Sequence, residues 1–552
     1  MKDIVFITFD IPRSDYPAMT YSIASIIASL KASGYKCGHF PIDIKQSIQD
    51  GVTGEKLTSI VKTKLLGSLE YFKGFRYIAI SVTRWSVEHC NSLIDLLTDY
   101  NGKIILGGYE ITATANSVLE TEYPKADYFV KGYAERALVN LMKGVYPDSQ
   151  RILQESLAEI DLASPYLTGV LNLFTRKIYW ETKRGCRFSC GFCEWGNAEK
   201  ILIELDKNRL FREIDLIRDS SVEEINILDA TFNFGRNYLE ILKYLLFNTE
   251  LKITFQARFE TLFGSVAEEF LALSTEYKSR IHMEFGLQTI HLHEMNVIGR
   301  VNNMDKIEQG LLKLNESGIS YEVSIIYAIP GQTVESLIDT IEFLVLNGCK
   351  KIRAYPLQIP RNSELERKRL EYEITEVTDN LNVRSVLSSK SFSKENRFDM
   401  DNIAERVNRD EIKGVRVLPI QCNLLPTTKY QYELKSIDCL PNKKYLYNLV
   451  DSAYIKTTLI DINSEDFFDY IRTIGGMYDD NISTEDTNHF LDKVHKKEYY
   501  LKVDKKDSDN LQIQVRNNTL KIRQSKNSIR YFCNIRLGVS GNLYVYRDIV
   551  RE

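Results

Sequence analysis

The chemically most distinctive part of the sequence is a group of three cysteines, Cys186, Cys190 and Cys193. They are three of the nine cysteines, separated by three and then two residues. An iron–sulfur cube takes one thiolate per iron, so three protein thiolates leave one iron free for an outside ligand. The spacing therefore predicts an open 4Fe-4S site. A structural zinc site and a disulfide pair are the alternatives, and zinc is disfavoured because the nearest histidines are His89 and His282.

The residues around the cysteines resemble the cluster loop of the radical S-adenosylmethionine (SAM) superfamily. The resemblance rests on the CxxxCxxC spacing with the aromatic Phe192 before the last cysteine. The wider string ETKRGCRFSCGFCEWG is similar to the ETSRGCPFxCxFCxWG loop of the cobalamin-binding branch. It implies that the three cysteines are cluster ligands and catalytic residues, and that SAM binds the fourth iron and is cleaved to a 5′-deoxyadenosyl radical. An external one-electron reductant of the flavodoxin or ferredoxin type is implied as well.

Composition narrows the class of protein. At 552 residues the chain is too long for one ordinary domain, and its 44% hydrophobic and 26% charged residues are typical of a globular protein. The net charge of −4, from 71 basic and 75 acidic residues, gives no argument for a nucleic-acid partner. No apolar run approaches the ~18 residues of a membrane span, and the odd cysteine count suits a reducing compartment. A cytoplasmic location without a membrane partner is expected.

Residues 1–145 alternate between apolar strands and helical patterns, which predicts a doubly wound, Rossmann-like parallel sheet. Ligands of such sheets bind beyond the carboxyl ends of the strands. The predicted strands are Ile4–Phe9, Tyr77–Val82, Lys103–Leu106 and Tyr128–Val130, and the predicted helices are Thr20–Ala32 and Val87–Tyr100.

Three of these strand ends resemble cobalamin-binding domains. The Gly-Gly turn after the third strand and the string DYFVKGYAE, which is similar to D-x-V-V-x-G-E-G-E, carry the resemblance together with the loop SVTRW. The implied cobalamin-binding residues are Ser81, Val82, Thr83, Arg84, Trp85, Gly107, Gly108, Tyr109, Gly132 and Glu135. Ordinary strand–helix turns are the alternative.

The first loop, Asp10–Asp15, departs from the cobalamin mutases because it has no histidine. The D-x-H-x-x-G motif, which supplies a lower imidazole ligand, is therefore absent. By the same resemblance the lower face of the corrin is unligated, with Arg84 facing the cobalt. Loss of the cofactor from this domain stays open as an alternative.

Residues 146–176 contain Ser-Pro and a glycine and are predicted as a linker. Residues 177–370 then alternate regularly, which predicts a partial (β/α)6 barrel of the TIM type with its chemistry at the carboxyl ends of the strands. The predicted strands are Ile178–Thr182, Glu224–Leu228, Ile253–Ala257, His282–Leu287, Tyr321–Ala328 and Lys351–Leu357. The predicted helices are Ile201–Asp219, Tyr238–Phe247, Val266–Tyr277, Asn303–Ser317 and Glu335–Asn347.

Polar residues at these strand ends are candidates for holding SAM. Asp229, Gln256, Arg258 and Gln288 each lie where a barrel interior would otherwise be apolar. Helix capping or a loop position is the alternative for Asp229 and Gln256. The segment SIIYAIPGQT resembles the I-x-G-L-P-G-x-T segment that lines the adenine, but it has Ala328 where relatives often have glycine. The resemblance adds Phe192, Trp195, Ile329 and Pro330 to the SAM candidates.

Residues 371–552 carry little resemblance to the family and are predicted as an α+β C-terminal domain. The polar stretch 371–415 suits a lid or a mobile connector, and 440–496 has a helical pattern. Alternating runs predict a small antiparallel sheet, which either covers the barrel or recognises substrate. Its strands are Tyr499–Val503, Leu511–Val515, Leu520–Arg523, Tyr531–Leu537 and Leu543–Tyr546.

The favoured function is a cobalamin-dependent radical SAM methyltransferase acting on an unactivated carbon, or on phosphorus, in a natural-product or peptide substrate. A carbon-bound hydrogen has no useful acidity, so ordinary methyl transfer fails there. Radical rearrangement, ring contraction or C–C coupling is one alternative, and a cofactor-binding sensor module is an alternative of another class. Lone acid–base candidates such as His282 and Glu284 have no catalytic partners at a recognisable spacing.

Overall fold

The computed structural model describes residues 2–410 except 51, 53, 98, 157–161, 189 and 194–200, and beyond these only the backbone of strands between 412 and 549. The chain divides into two compact units. The first consists of Met1–Gly286, Met295–Glu322 and Leu357–Val386, and the second of Leu287–Glu294, Val323–Pro356 and Leu387–Glu552. No helix in the described part of the chain is long and apolar enough to cross a membrane.

The first unit begins with a six-stranded parallel sheet in the order β2-β1-β3-β4-β5-β6. Its strands are β1 (Lys2–Asp10), β2 (Cys37–Asp43), β3 (Phe75–Ser81), β4 (Lys103–Gly107), β5 (Tyr128–Lys131) and β6 (Ile152–Gln154). Its helices are α1 (Tyr21–Ala32), α2 (Lys45–Gln49), α3 (Gly54–Leu66), α4 (Leu69–Phe72), α5 (Val87–Leu96), α6 (Tyr109–Ala113), α7 (Asn116–Glu122) and α8 (Ala134–Met142). The predicted Rossmann-like sheet is confirmed.

Strands β2 and β6, which the sequence did not predict, form the two edges of this sheet. β2 contains Gly38 and Pro41, and an edge strand tolerates both because one side of it needs no ladder partner. β6 lies within the stretch predicted as a linker.

The core of the sheet explains why β1 is an unbroken apolar run. Val5, Ile7 and Phe9 belong to one buried cluster, whereas Ile4 and Phe6 belong to another. Successive side chains point to opposite faces of a strand, so both faces of β1 are covered.

A second parallel sheet follows in the first unit, with β7, β10, β11 and β12 paired in that order. The elements are β7 (Lys177–Trp180), β8 (Lys183–Gly185), β9 (Leu202–Glu204), α9 (Lys207–Arg218), β10 (Glu224–Ile227), α10 (Tyr238–Asn248), β11 (Lys252–Ala257), α11 (Ser265–Glu276), β12 (Ile281–Gln288), α12 (Leu292–Val297) and α13 (Met304–Ser317). The helix predicted from Ile201 starts only at Lys207, where the Asp206 carboxylate accepts the Arg209 N–H at 2.8 Å. The residues before it form β9, antiparallel to β8.

Strands β13 (Ser320–Tyr327) and β14 (Ile352–Pro356) pair in parallel between Val323–Tyr327 and Ile352–Pro356, with α14 (Val334–Leu346) between them in the chain. A capping box of Thr333 and Ser336 begins α14. Along the chain, six strands alternate with helices as the (β/α)6 pattern predicts.

The stretch 371–415 differs from the predicted connector. It contains β15 (Thr375–Thr378) and β16 (Arg384–Ser388), which follow the short α15 (Glu364–Arg367), and then α16 (Lys394–Asn408). Met400 and Ile403 on α16 are fully buried. Few apolar residues suffice here because they recur at helical spacing on one face.

The last strands form a six-stranded antiparallel sheet in the order β17-β26-β25-β24-β23-β22, which confirms the predicted tail. Within 440–496, predicted as helical, the described elements are the strands β20 and β21, and the rest lies outside the described residues. The strands are β17 (Ile412–Leu418), β18 (Pro426–Thr427), β19 (Gln431–Tyr432), β20 (Tyr445–Tyr447), β21 (Leu459–Asp461), β22 (Tyr499–Val503), β23 (Leu511–Arg516), β24 (Thr519–Gln524), β25 (Tyr531–Leu537) and β26 (Leu543–Ile549).

Candidate active site

The cysteine loop follows β7 and β8 at the carboxyl end of the first barrel strand. Cys186, Cys190 and Cys193 form no disulfide and are half-buried. The Gly191 N–H donates to the Ile298 carbonyl at 2.8 Å, and the Cys193 N–H donates to the Cys190 carbonyl at 3.1 Å. These bonds fix the backbone of the turn that carries the last two cysteines.

Two arginines place positive charge beside the cysteines. The Arg258 guanidinium, at the end of β11, lies 3.7 Å from the centre of the Phe188 ring within the loop. Arg300 carries positive charge close to Cys190. Burial raises the pKa of the Cys186 thiol, while the Phe188 N–H and both arginines oppose that rise. The arginines thus favour the thiolate, which is the form that binds metal.

The donor set fits an iron–sulfur cluster, although the side chains are not gathered for one. Among the described residues, no three His, Cys, Asp or Glu side chains are grouped as metal ligands. The three loop thiols are nevertheless free of disulfides, and cations flank them. Metal binding couples to local ordering, so the thiols need not be gathered before the metal binds.

Asp229, a predicted SAM residue, is bound within the protein. Its buried carboxylate accepts the Thr182 N–H at 2.8 Å, the Lys183 N–H at 3.2 Å and the Thr182 hydroxyl. The Lys183 ammonium lies 3.8 Å away and donates to the Phe232 carbonyl at 2.8 Å. Asp229 therefore anchors the segment between β7 and β8 that leads into the cysteine loop. A direct contact with SAM stays a prediction.

Glu135, a predicted cobalamin residue, is bound within the protein too. Its carboxylate pairs with the Arg184 guanidinium and accepts the Ser25 hydroxyl at 2.8 Å. Arg184 also forms a two-bond pair with Glu181, at 2.7 and 2.9 Å. Burial opposes the charge on Arg184, but the two glutamates outweigh it and raise the pKa of the guanidinium above its usual range.

The remaining SAM candidates differ in their surroundings. Gln256 is exposed on β11, and Phe192 is half-buried. Trp195 lies outside the described residues.

In the second unit, Gln288 and Ala328 adopt left-handed backbone with φ of 72° and 61°. Glycine favours this region, which explains the glycine of the resembling motif at the position of Ala328. The Ile329 N–H donates to the Gln332 side-chain oxygen at 3.3 Å, and Pro330 is buried.

The turn after β4 packs against the loop after β3. The Val82 N–H donates to the Gly107 carbonyl at 2.7 Å, and Gly108 has φ of 105°. A Cβ on Gly108 would lie 2.6 Å from the Val82 carbonyl oxygen. Only glycine therefore fits here, because both the φ and the close backbone approach exclude a side chain.

The other predicted cobalamin residues lie at the same carboxyl ends of the strands. The Arg84 guanidinium lies 5.3 Å from the Tyr109 ring centre, and the Trp85 indole N–H donates to the Phe9 carbonyl at 2.9 Å. The Thr83 N–H donates to the Ser86 hydroxyl, and Ser81 ends β3. Gly132 is exposed, and a Cβ there would meet nothing within 4 Å. Exposed backbone with open space above it fits a large planar cofactor.

Comparison with known families identifies the second sheet. The sequence model described as the Radical SAM superfamily matches residues 180–344. We call residues 180–344 the radical SAM domain after the model that matches them.

Two curated relatives resemble the chain beyond the motif. One is the cobalamin-dependent radical SAM methyltransferase TokK of Streptomyces tokunonensis, 30% identical over 224 residues, which is 37% of this chain and 32% of TokK. The other is the 2-(S-pantetheinyl)-carbapenam-3-carboxylate methyltransferase of Streptantibioticus cattleyicolor, 27% identical over 198 residues, 30% of this chain and 29% of the relative. The chain thus spans about a third of the length of these relatives.

Solved structures share the fold. The cobalamin-dependent radical enzyme OxsB, with aqua-cobalamin and SAM bound, has a TM-score of 0.54 at 15% identity. The match covers 73% of this chain and 66% of the OxsB chain. The methyltransferase TsrM from Kitasatospora setae, with cobalamin and a 4Fe-4S cluster bound, has a TM-score of 0.50 at 13% identity, covering 67% and 75%. At these identities the likeness concerns the fold.

The radical SAM domain contains site residues that sequence reasoning did not select. Phe188 lies within the cysteine loop, and an aromatic residue between two cysteines was a usable signal. Arg300 carried no such signal, because it lies beyond a helix and reaches the loop only in the folded chain.

Proposed function

We propose that the chain is a cobalamin-dependent radical SAM methyltransferase that cleaves SAM reductively to a 5′-deoxyadenosyl radical. The observation that carries the proposal is the cysteine loop at the start of the radical SAM domain, with three thiols outside any disulfide and two neighbouring arginines. A 4Fe-4S cluster supplies the electron for that cleavage when bound, and cobalamin supplies a transferable methyl group.

The protein's own residues have separate tasks in this proposal. Cys186, Cys190 and Cys193 ligate the cluster, while Arg258 and Arg300 hold negative charge beside it. The Asp229 network fixes the approach to the loop from β7. SAM would lie against the loop aromatic Phe192 and the strand end that provides Gln256.

The carboxyl ends of the strands in the N-terminal sheet form the proposed cobalamin site. Gly132 presents exposed backbone with open space that a planar cofactor can approach closely, and the turn 107–109 is held against the loop 81–85. The first loop has no histidine, so this chain offers no imidazole there as a lower ligand.

The substrate proposed is a small natural product methylated at an unactivated carbon. The named carbapenam methyltransferase among the relatives supports this class for the matched stretch. A peptide substrate and phosphorus as the accepting atom remain the neighbouring possibilities. An external flavodoxin- or ferredoxin-type reductant delivers the electrons.

Cluster loading is the first test. Anaerobic reconstitution should give about four irons per chain, with the broad visible absorbance of thiolate-to-iron charge transfer. Replacing the three loop cysteines by alanine should abolish both. Cys37→Ala is the matched control, because this free cysteine lies in the N-terminal sheet and should leave the iron content unchanged. Iron retained by the triple variant would contradict the proposal.

Product analysis separates methyl transfer from the alternatives. With SAM, hydroxocobalamin and a strong reductant, a methyltransferase should release S-adenosylhomocysteine as well as 5′-deoxyadenosine. Release of 5′-deoxyadenosine alone, from protein that binds no cobalamin, would instead favour radical rearrangement, ring contraction or coupling. A chain that takes up iron and cleaves no SAM would favour the sensor module.

A further inference from the structure

A buried ionic group joins the cysteine loop to the N-terminal sheet. Arg184 binds Glu181 through two hydrogen bonds, pairs with Glu135 and donates to the Ser25 hydroxyl at 3.3 Å. Its guanidinium also lies 5.1 Å from the Tyr133 ring centre. The side chains of Arg184, Glu135 and Glu181 are 5%, 4% and 8% exposed. All these residues belong to the first compact unit.

The positions of these partners give the group its significance. Arg184 lies two residues before Cys186, on strand β8. Tyr133 and Glu135 follow β5 at its carboxyl end, the edge where parallel sheets bind ligands. A single guanidinium therefore contacts both the entry to the cysteine loop and the turn that continues from Gly132.

Stability alone is a poor explanation for such a group. Charges taken out of water lose solvation that their mutual attraction barely repays, and apolar side chains of similar volume often stabilise a fold as well. What the planar guanidinium adds is direction, since its two-bond pairing with Glu181 fixes its orientation and leaves the remaining nitrogen aimed at Glu135. The group is thus suited to holding two segments in one relative position.

We propose that Arg184 is a positioning residue that couples the two cofactor sites. It holds the cysteine loop against the turn 131–135, so loading the cluster changes the affinity of the sheet edge for cobalamin, and the reverse by linkage. Glu135 acts through Arg184 in this scheme and does not touch the corrin. The inference rests on the proposed function for the identity of the two cofactors.

The test is the binding of hydroxocobalamin to the full chain with and without its reconstituted cluster. The wild type should bind about tenfold more tightly when the cluster is present, a coupling of ordinary size between two sites. Glu135→Gln keeps the side-chain shape and removes the charge, and it should reduce the difference to less than about twofold. Arg184→Lys should do the same, because lysine keeps the charge and loses the two-bond fork.

Two further variants provide a milder change and a control. Ser25→Ala removes only the hydroxyl that bridges Arg184 and Glu135, and is a mild change if the charge variants fold poorly. Glu223→Gln is the matched control, because this carboxylate pairs with Arg176 at the surface and should leave the difference intact.

The outcomes separate the two proposals. Equal affinities in wild type with and without the cluster would overturn the coupling alone, as would a full difference retained by Glu135→Gln, Arg184→Lys and Ser25→Ala. A cluster-loaded chain that binds no hydroxocobalamin would overturn the proposed function and the coupling together.

Discussion

Arg258 is the side chain through which β11 reaches the cysteine loop. Its guanidinium lies 3.7 Å from the Phe188 ring centre and 3.3 Å from the Glu260 carboxylate. Cation–π contacts at partly desolvated sites contribute about 0.5–2 kcal/mol, and the planar guanidinium stacks better than an ammonium. Arg258 thus combines two tasks, ordering the loop and offering positive charge near the cysteines.

Arg258→Ala should keep the iron and weaken SAM binding by on the order of 1–3 kcal/mol, the range for a lost charge-assisted hydrogen bond. Titrating SAM against slow, substrate-free release of 5′-deoxyadenosine measures the effect. Lys252→Ala is the control, because Lys252 is exposed at the opposite end of β11. Saturation of Arg258→Ala at the wild-type SAM concentration would show that the pocket lies elsewhere.

His39 gives the N-terminal sheet a dependence on pH. Its ring nitrogen hydrogen-bonds the Thr8 hydroxyl at 2.8 Å, and burial lowers the pKa of His39 from 6.5 to about 4. At a pH between these two pKa values, the unfolded chain therefore binds a proton on His39 that the folded chain does not bind. Stability supplied by neutral His39 is full above pH 6.5 and is lost as the pH falls toward 4.

Thermal denaturation across that window should show the wild type losing stability more steeply than His39→Gln. The difference in slope should reach at most about 1.4 kcal/mol per pH unit, the value for one proton. Carboxylates remote from His39 titrate in both proteins and cancel in the comparison. Parallel curves would show that the pKa of His39 is the same in the folded and unfolded chains.

At the scale of elements, the turn between β4 and α6 depends on a glycine. Gly108→Ala places a methyl carbon 2.6 Å from the Val82 carbonyl oxygen at a φ of 105°. Gly144→Ala is the control, since Gly144 also has positive φ, at 69°, but open space around it. Strain from φ alone costs about 1–2 kcal/mol and affects both variants. Gly108→Ala adds the close contact with Val82, so it should lose more stability than Gly144→Ala.

Denaturant midpoints of the two glycine variants provide the measurement. Gly108→Ala should also weaken hydroxocobalamin binding, because relieving the clash moves the loop 81–85 away from the turn. Equal midpoints for both variants would mean that the turn relaxes freely, and would remove the argument for a rigid sheet edge.

At the scale of the whole molecule, the first unit holds the N-terminal sheet and the start of the radical SAM domain together. Tyr16 stacks on Tyr179 at 4.3 Å between ring centres, and the Lys177 N–H donates to the Asp15 carbonyl at 2.9 Å. The pairing of Arg184 with Glu135 adds a buried contact between the same two parts. The N-terminal sheet and the start of the radical SAM domain thus contact each other through polar and aromatic groups. Neither part can form these contacts alone.

A chain beginning at residue 146 should therefore melt at a lower temperature and aggregate, because it exposes Tyr179 and leaves Arg184 without Glu135. Removing one member of a buried pair costs about 3–5 kcal/mol. Tyr16→Ala in the full chain removes one contact only and should give an intermediate melting temperature. Size-exclusion chromatography and thermal denaturation distinguish the three proteins, and an unchanged midpoint for the shortened chain would contradict the shared unit.

Features that depend on local spacing were predictable from the sequence. Three cysteines within one loop indicate a ligand set without knowledge of the fold, because chain connectivity keeps them close. The central strands of the N-terminal sheet and the alternation of the radical SAM domain were predictable since both faces of β1 and its neighbours are apolar. The strand β2 was missed because Gly38 and Pro41 break the apolar run.

The partners of the buried charges became visible only in the folded chain. Asp229 binds Thr182, 47 positions away, and Glu135 binds Arg184, 49 positions away, although the sequence suggested cofactor contacts for both carboxylates. Ser25 lies 159 positions from Arg184. A buried charge takes whichever opposite group meets it across packed sheets, and that meeting depends on the register and packing of distant strands. No local pattern of residue types predicts these pairings.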